Sequence, residues 1–193
     1  MEEKTNVMRI LEQKKIKYTP HSYVNTDAVS GVEVATVLGQ NQNQVFKTLV
    51  TVGKSKTNYV FVIPVAEELD LKKAAKVVGE KSIEMIKSKE LLPLTGYIHG
   101  GCSPIGMKKN FRTVIDESAR AFDSIIFSAG KIGYQVQVNP EDLKKIIRYE
   151  FADITISNKF QTAFFYRFII YSTVTDLAKL RGLSTSVPRA RAA

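Results

Sequence analysis

Across 193 residues the chain has one cysteine, Cys102. That excludes an intramolecular disulfide and the cysteine-based zinc spacings. It has two histidines, His21 and His99, and no acidic cluster accompanies either, so no metal site is expected. No uncharged apolar run reaches the roughly 18 residues of a membrane span, so no membrane association is expected. The opening Met1-Glu2-Glu3-Lys4-Thr5 lacks the basic segment and apolar run of a signal peptide. The glycine spacings match neither the P-loop nor the dinucleotide fingerprint, so no cofactor is expected. A lone thiol fits a reducing, cytoplasmic setting.

What is present is the composition of an ordinary soluble globular protein, 44% hydrophobic and 24% charged. The length suits one domain with a substantial core. The net charge is +9, of which +5 falls from Ser157 onward and +4 before it. The main part is therefore mildly basic, compatible with contact to RNA but not demanding it.

Apolar spacing predicts a helix over Thr5 to Lys15, with Val7, Met8, Ile10 and Leu11 as its stripe. A short strand over Ile16 to Tyr23 is interrupted at Pro20, which suits a sheet edge. Ser30 and Glu33 form a capping box for a helix closed by Gly39. Gln44 to Val50 and Asn58 to Pro64 read as a hairpin around the Gly53 to Lys56 turn. Asp70 caps a helix over Leu71 to Val78, stopped by Gly79, with Lys72, Lys73 and Lys76 on its basic face. Ile83 to Ile86 suits a short strand and Ser88 to Leu92 one helical turn. Phe111 to Asp116 and Ser124 to Ser128 are further strands around a short helix at Glu117 to Ala121. Tyr134, Val136 and Val138 alternate with Gln135 and Gln137 as in a half-buried strand. Asn139-Pro140-Glu141-Asp142 starts a helix expected to reach Arg148.

Two features carry chemistry. Lys47 lies inside the apolar run Val45-Phe46-Lys47-Thr48-Leu49-Val50, where a lysine either reaches solvent or faces a site that wants a positive charge. Gly96 to Gly106 holds four glycines and a proline, which forbids regular structure. Adjacent Gly100 and Gly101 let backbone N–H groups approach a ligand closely. Ser128-Ala129-Gly130-Lys131 is a second small-residue loop.

In their order these blocks resemble the YbaK/EbsC family of aminoacyl-tRNA editing proteins. The residues that carry the resemblance are Tyr23, Leu38-Gly39, Val45 to Leu49, Pro64-Val65-Ala66 and Leu69 to Lys73. Thr95-Gly96-Tyr97, Gly100 to Gly106, Ser128 to Lys131 and Phe151 to Ile154 complete it, and together they span about Lys4 to Thr155. The resemblance implies an α+β single domain, residues 1–156, with a mixed, partly barrel-like β-sheet flanked by helices. It is the fold of the editing domain inserted in many bacterial prolyl-tRNA synthetases.

The implied activity is hydrolysis of mischarged Cys-tRNA(Pro), or also Cys-tRNA(Cys), with the substrate's own thiol attacking the ester carbonyl. The implied partners are the aminoacylated tRNA 3′ end and prolyl-tRNA synthetase. Carried over by motif, Lys47, Gly100 and Gly101 are the catalytic set. Tyr23, Ser30, Thr48, Ser128 and Gln135 border the substrate, and Cys102 need not be catalytic. Cys-specific members usually have phenylalanine at the position of Ser30 and aspartate at that of Gln135. A deacylase for another mischarged tRNA, such as Ala-tRNA(Pro), is the alternative, followed by a non-enzymatic tRNA- or synthetase-binding module. Residues 157–193, including the aromatic stretch Ala163 to Tyr171, lie beyond the family's usual end and are expected to be a disordered or spurious extension.

Overall fold

Four α-helices and eight strands succeed one another in residues 4–156, the part of the chain that the computed structural model describes. The expectations for 157–193 lie outside the described residues.

Helix α1 (Asn6–Gln13) starts at Thr5, whose hydroxyl accepts from the Met8 N–H, and buries Val7, Met8 and Leu11. Strand β1 (Tyr18–Ser22) pairs antiparallel with β7 (Tyr134–Val138), which pairs antiparallel with β6 (Ile125–Ser128). Pro20 therefore sits on the outer strand of a three-stranded sheet, where its missing N–H does no harm. The second sheet has five strands in the order β4-β2-β3-β5-β8. Its centre is the antiparallel hairpin β2 (Phe46–Gly53) and β3 (Asn58–Pro64). Strand β4 (Ile83–Met85) extends it antiparallel on one side, while β5 (Arg112–Asp116) and β8 (Tyr149–Ala152) extend it in parallel on the other. One parallel bridge, Val45 to Ile126, ties the two sheets together. The partly barrel-like expectation thus takes the form of two open sheets joined at one corner.

Helix α2 (Gly31–Val37) has the full Ser30–Glu33 capping box, with Glu33 N–H to Ser30 Oγ at 3.2 Å. Asp70 caps α3 (Leu71–Val78), which ends on Gly79 in the left-handed region at φ 78°. Alternation along the hairpin sends Phe46, Val50, Val60 and Val62 into a core shared with α1, β6 and β7. The opposite face sends Leu49, Tyr59, Phe61 and Ile63 against Ala74, Ala75 and Val78 of α3. A third, small cluster of Ala35, Val45, Val65 and Ile126 sits where α2 covers the bridge.

Two expectations need correction. The segment after Asn139 is a 3₁₀ stretch, Pro140–Lys145, and not a helix to Arg148. The chain then extends into β8, because Tyr149 to Ala152 fill the free parallel edge of β5. Helix α4 (Ser88–Thr95) is also longer than one turn: it runs past Pro93 and stops at Gly96, φ 86°.

Candidate functional site

Strand β2 is paired along its length with β3, but on its other side it meets β4 only from Thr51 and β6 only through the Val45 bridge. Between those points no strand is registered beside it, and a cleft of about 550 Å³ opens there. Lys47 and Thr48 line it from β2, Gly100 and Cys102 from the glycine-rich loop, and Ser128 and Gln135 from β6 and β7. Tyr23 and Ser30 stand at its mouth ahead of α2. Seven of the eight residues singled out in the sequence thus share one cleft. Gly101 does not line it. It is buried behind the loop, donates its N–H to Ile98 O at 3.1 Å, and any Cβ there would stand 3.2 Å from the Ile132 nitrogen.

Lys47 is the only lysine or arginine on the lining, which His99 of the glycine-rich loop also joins, and no carboxylate is among the lining residues. Its Nζ donates to the Val65 carbonyl at 3.0 Å. Burial pulls the ammonium below its ordinary range, opposed by Glu68 and then Glu67. Thr48 points to the other face of β2, and its hydroxyl oxygen is buried with no partner among the described residues. Such an atom is a ready donor or acceptor for a bound group. Ser128 Oγ accepts from the Gly130 N–H at 3.2 Å. Ser30 spends its hydroxyl on the α2 cap, so at the mouth it offers bulk more than a free hydrogen bond.

Gln135 is 6% exposed and accepts at Oε1 from Gln40 Nε2 at 3.1 Å. Gln40 went unnoticed in the sequence, since its role appears only when the α2 turn meets β7. Cys102 is buried, and burial pushes its thiol up to about 12, so it is no nucleophile near neutrality.

The loops around the cleft are held by Tyr97, which is 8% exposed and donates to Ile105 O at 2.6 Å. Gly106 and Gly130 face it, and a Cβ on either would stand 2.8 Å from the tyrosine. The Thr95-Gly96-Tyr97 motif is therefore the clamp between the two small-residue loops. His21, by contrast, pairs with Gln137 at 3.0 Å on β7 and does not line the cleft. A larger cleft, of about 900 Å³ beside Phe111, Ile147 and Tyr149, meets the glycine-rich stretch only at Pro104 and Gly106 and holds none of the eight candidate site residues.

A family described as the aminoacyl-tRNA editing domain matches residues 26–146, which include every lining residue named above except Tyr23. This chain belongs to the aminoacyl-tRNA editing domain family. EbsC of Enterococcus faecalis, provisionally named a Cys-tRNA(Pro)/Cys-tRNA(Cys) deacylase, is 47% identical over 155 residues, covering 80% of this chain and 94% of that protein. A solved structure described, again provisionally, as a trans-editing enzyme for prolyl tRNA synthetase is 25% identical with a TM-score of 0.68. The match covers 78% of this chain and 95% of that one. The crystal structure of a hypothetical protein, APE2540, shares the fold with a TM-score of 0.69 at 19% identity, over 78% of this chain and 99% of that one.

Within the editing-domain fold the cleft is thus formed by the bare side of β2 and the two loops clamped by Tyr97. Among the described residues no group of three metal-ligating side chains gathers, and no helix is long and apolar enough to cross a membrane.

Proposed function

We propose that this chain is a trans-editing deacylase that clears mischarged aminoacyl-tRNA, with Cys-tRNA(Pro) as its first substrate and Cys-tRNA(Cys) as a second. The observation that carries the reading is the convergence of Lys47, Thr48, Gly100, Ser128 and Gln135 on one cleft with a single lysine and no carboxylate. Its volume of about 550 Å³ falls within the range of about 300–1,000 Å³ typical of small-ligand sites, enough for an aminoacylated terminal adenosine.

In this reading the cleft supplies position and charge, and the substrate supplies the nucleophile. Lys47 holds the 3′-terminal phosphate or the ester oxygen. The Gly100 N–H, which has no acceptor among the described residues, faces the ester carbonyl, and Thr48 and Ser128 offer hydroxyls beside it. The cysteinyl sulfur attacks its own carbonyl carbon. A C–S bond forms, the C–O bond to the ribose breaks, and the thiol proton ends on the ribose oxygen. The products are a cysteine thiolactone and free tRNA. Holding a thiol in line with its own carbonyl raises its effective molarity, so no protein nucleophile is required, and Cys102, buried with its thiol pushed up to about 12, has no part. The unit spans residues 1–156, works in the cytoplasm, and takes tRNA specificity from docking on prolyl-tRNA synthetase.

One observation favours a second reading. Gln135 is neutral and tied to Gln40, so the pocket offers the amino acid no counter-charge, and a pocket altered by one small group discriminates by only about 1–3 kcal/mol. Ala-tRNA(Pro) is the alternative substrate. Deacylation assays on Cys-, Ala-, Ser- and Pro-tRNA(Pro) separate the readings. Preferential loss of the cysteinyl ester supports the first, and loss of the alanyl ester the second. Binding without turnover of any of them refutes the enzyme. Lys47→Ala is expected to abolish most turnover, and full activity in that variant removes Lys47 from the mechanism.

A further inference from the structure

We propose that Gly31 and Val65 form the seat that fixes where the Lys47 ammonium stands, so that Gly31 is a positioning residue for Lys47. The inference rests on the editing reading for what Lys47 does, but its geometry is independent of it.

The Val65 carbonyl is the acceptor that holds Lys47 Nζ, at 3.0 Å. Val65 is itself held: its N–H donates to Val45 O at 2.8 Å, and its side chain, 7% exposed, packs with Ala35, Val45 and Ile126 at the junction of the sheets. The first residue of α2 lies directly on it. A Cβ at Gly31 would stand 2.6 Å from Val65 Cγ1 and 3.1 Å from its Cβ. The φ of Gly31 is not in the left-handed region, so backbone conformation does not demand glycine here. Contact does. Val65 packs on Ala35, Val45 and Ile126 and, like Gly31, lines the cleft, so a methyl at position 31 either lifts the start of α2 or pushes Val65 toward the cleft. Displacing Val65 moves the carbonyl on which Lys47 rests, and the ammonium moves with it.

Losing one charge-assisted hydrogen bond at the anchor corresponds to roughly a ten- to hundredfold loss in kcat/KM. The experiment compares wild type, Gly31→Ala, Val65→Ala and the double variant on Cys-tRNA(Pro), and repeats Gly31→Ala in a Lys47→Ala background. Removing the valine methyls leaves only the 3.1 Å approach to Cβ, so the double variant is expected to recover most of the loss. With Lys47 gone, Gly31→Ala is expected to cost little more, because its effect runs through that side chain. An equal loss in both backgrounds, or no recovery in the double variant, overturns the proposal. Should Gly31→Ala fail to fold, the double variant against Val65→Ala alone carries the comparison. NMR titration of ¹³C-labelled lysine provides a readout without turnover. The Lys47 signal is expected to shift in Gly31→Ala, because the ammonium changes both its acceptor and its exposure, and an unmoved titration also overturns the seat. A wild-type chain that deacylates nothing refutes the editing reading, and the titration then still decides the seat.

Discussion

Replacing Gly130 by alanine, with Gly79→Ala as its control, separates backbone conformation from crowding. Both glycines lie in the left-handed region, Gly79 at φ 78° and Gly130 at φ 84°. An added methyl therefore meets the same conformational cost of roughly 1–2 kcal/mol. Around Gly79 it would find nothing within 4 Å. At Gly130 it would stand 2.8 Å from Tyr97 Cε1 and 3.0 Å from Val7 Cγ2. Neither neighbour can give way: Val7 is fully buried, and Tyr97 is tied by its hydroxyl to Ile105 O at 2.6 Å. Overpacking of this kind adds roughly 1–3 kcal/mol. Gly79→Ala is thus expected to lose about 1–2 kcal/mol and Gly130→Ala about 2–5 kcal/mol. For a domain of this size each 1 kcal/mol lowers Tm by roughly 2–4 °C. Urea unfolding with unchanged m-values gives the two losses directly. Equal losses would mean that Tyr97 is not wedged as described, and the clamp between the loops would fall with it.

Other expectations follow from single contacts. Cys102, with its thiol pushed up to about 12 by burial, should alkylate with iodoacetamide at pH 8 at least about a hundredfold more slowly in the native chain than in urea. Comparable rates would refute its burial. Gln40→Leu leaves the buried Gln135 oxygen without its donor and is expected to cost about 1–3 kcal/mol in urea melts. Lys47→Met should stabilise the fold near neutrality, because the folded state holds the lysine proton less tightly than the unfolded chain. In the interval between its lowered value and the ordinary one the unfolded chain binds more protons, so stability rises with pH there and the burial penalty fades. The gain from Lys47→Met must therefore shrink as pH rises through that interval. Melts at neutral and alkaline pH check it, and a gain that grows with pH would refute it.

Local signals are legible in the sequence where a few adjacent residues decide the outcome. Ser30 with Glu33, and Asp70 with Gly79, mark helix ends through caps that lie within one turn. The hairpin of β2 and β3 followed from two apolar runs around a polar turn. What failed was non-local. Tyr149 to Ala152 form a strand because β5 offers a parallel edge, and the alternation of Tyr149 and Phe151 with Glu150 is too short to announce it alone. Proline and acids after Asn139 promised an α-helix start but closed into 3₁₀ turns instead. The same division holds at the cleft. Lys47, Gly100 and Ser128 stand out by residue type, whereas Gly31, Val65 and Gln40 act through a backbone oxygen, a missing methyl and an amide partner. Those contacts exist only once α2 is laid over the sheet junction.

The pairing of β1 with β7 joins Tyr18 to Val138, about 120 residues apart in the chain. During synthesis at about 5–20 residues per second, β1 waits roughly 6–24 s for its partner to leave the ribosome. The hairpin of β2 and β3 needs no such delay. Nascent chains should therefore hold a formed hairpin beside an unpaired, proline-bearing first strand for most of translation. The cleft, which draws Gln135 from β7, Tyr23 from just after β1 and Lys47 from the early hairpin, comes into being only near the end.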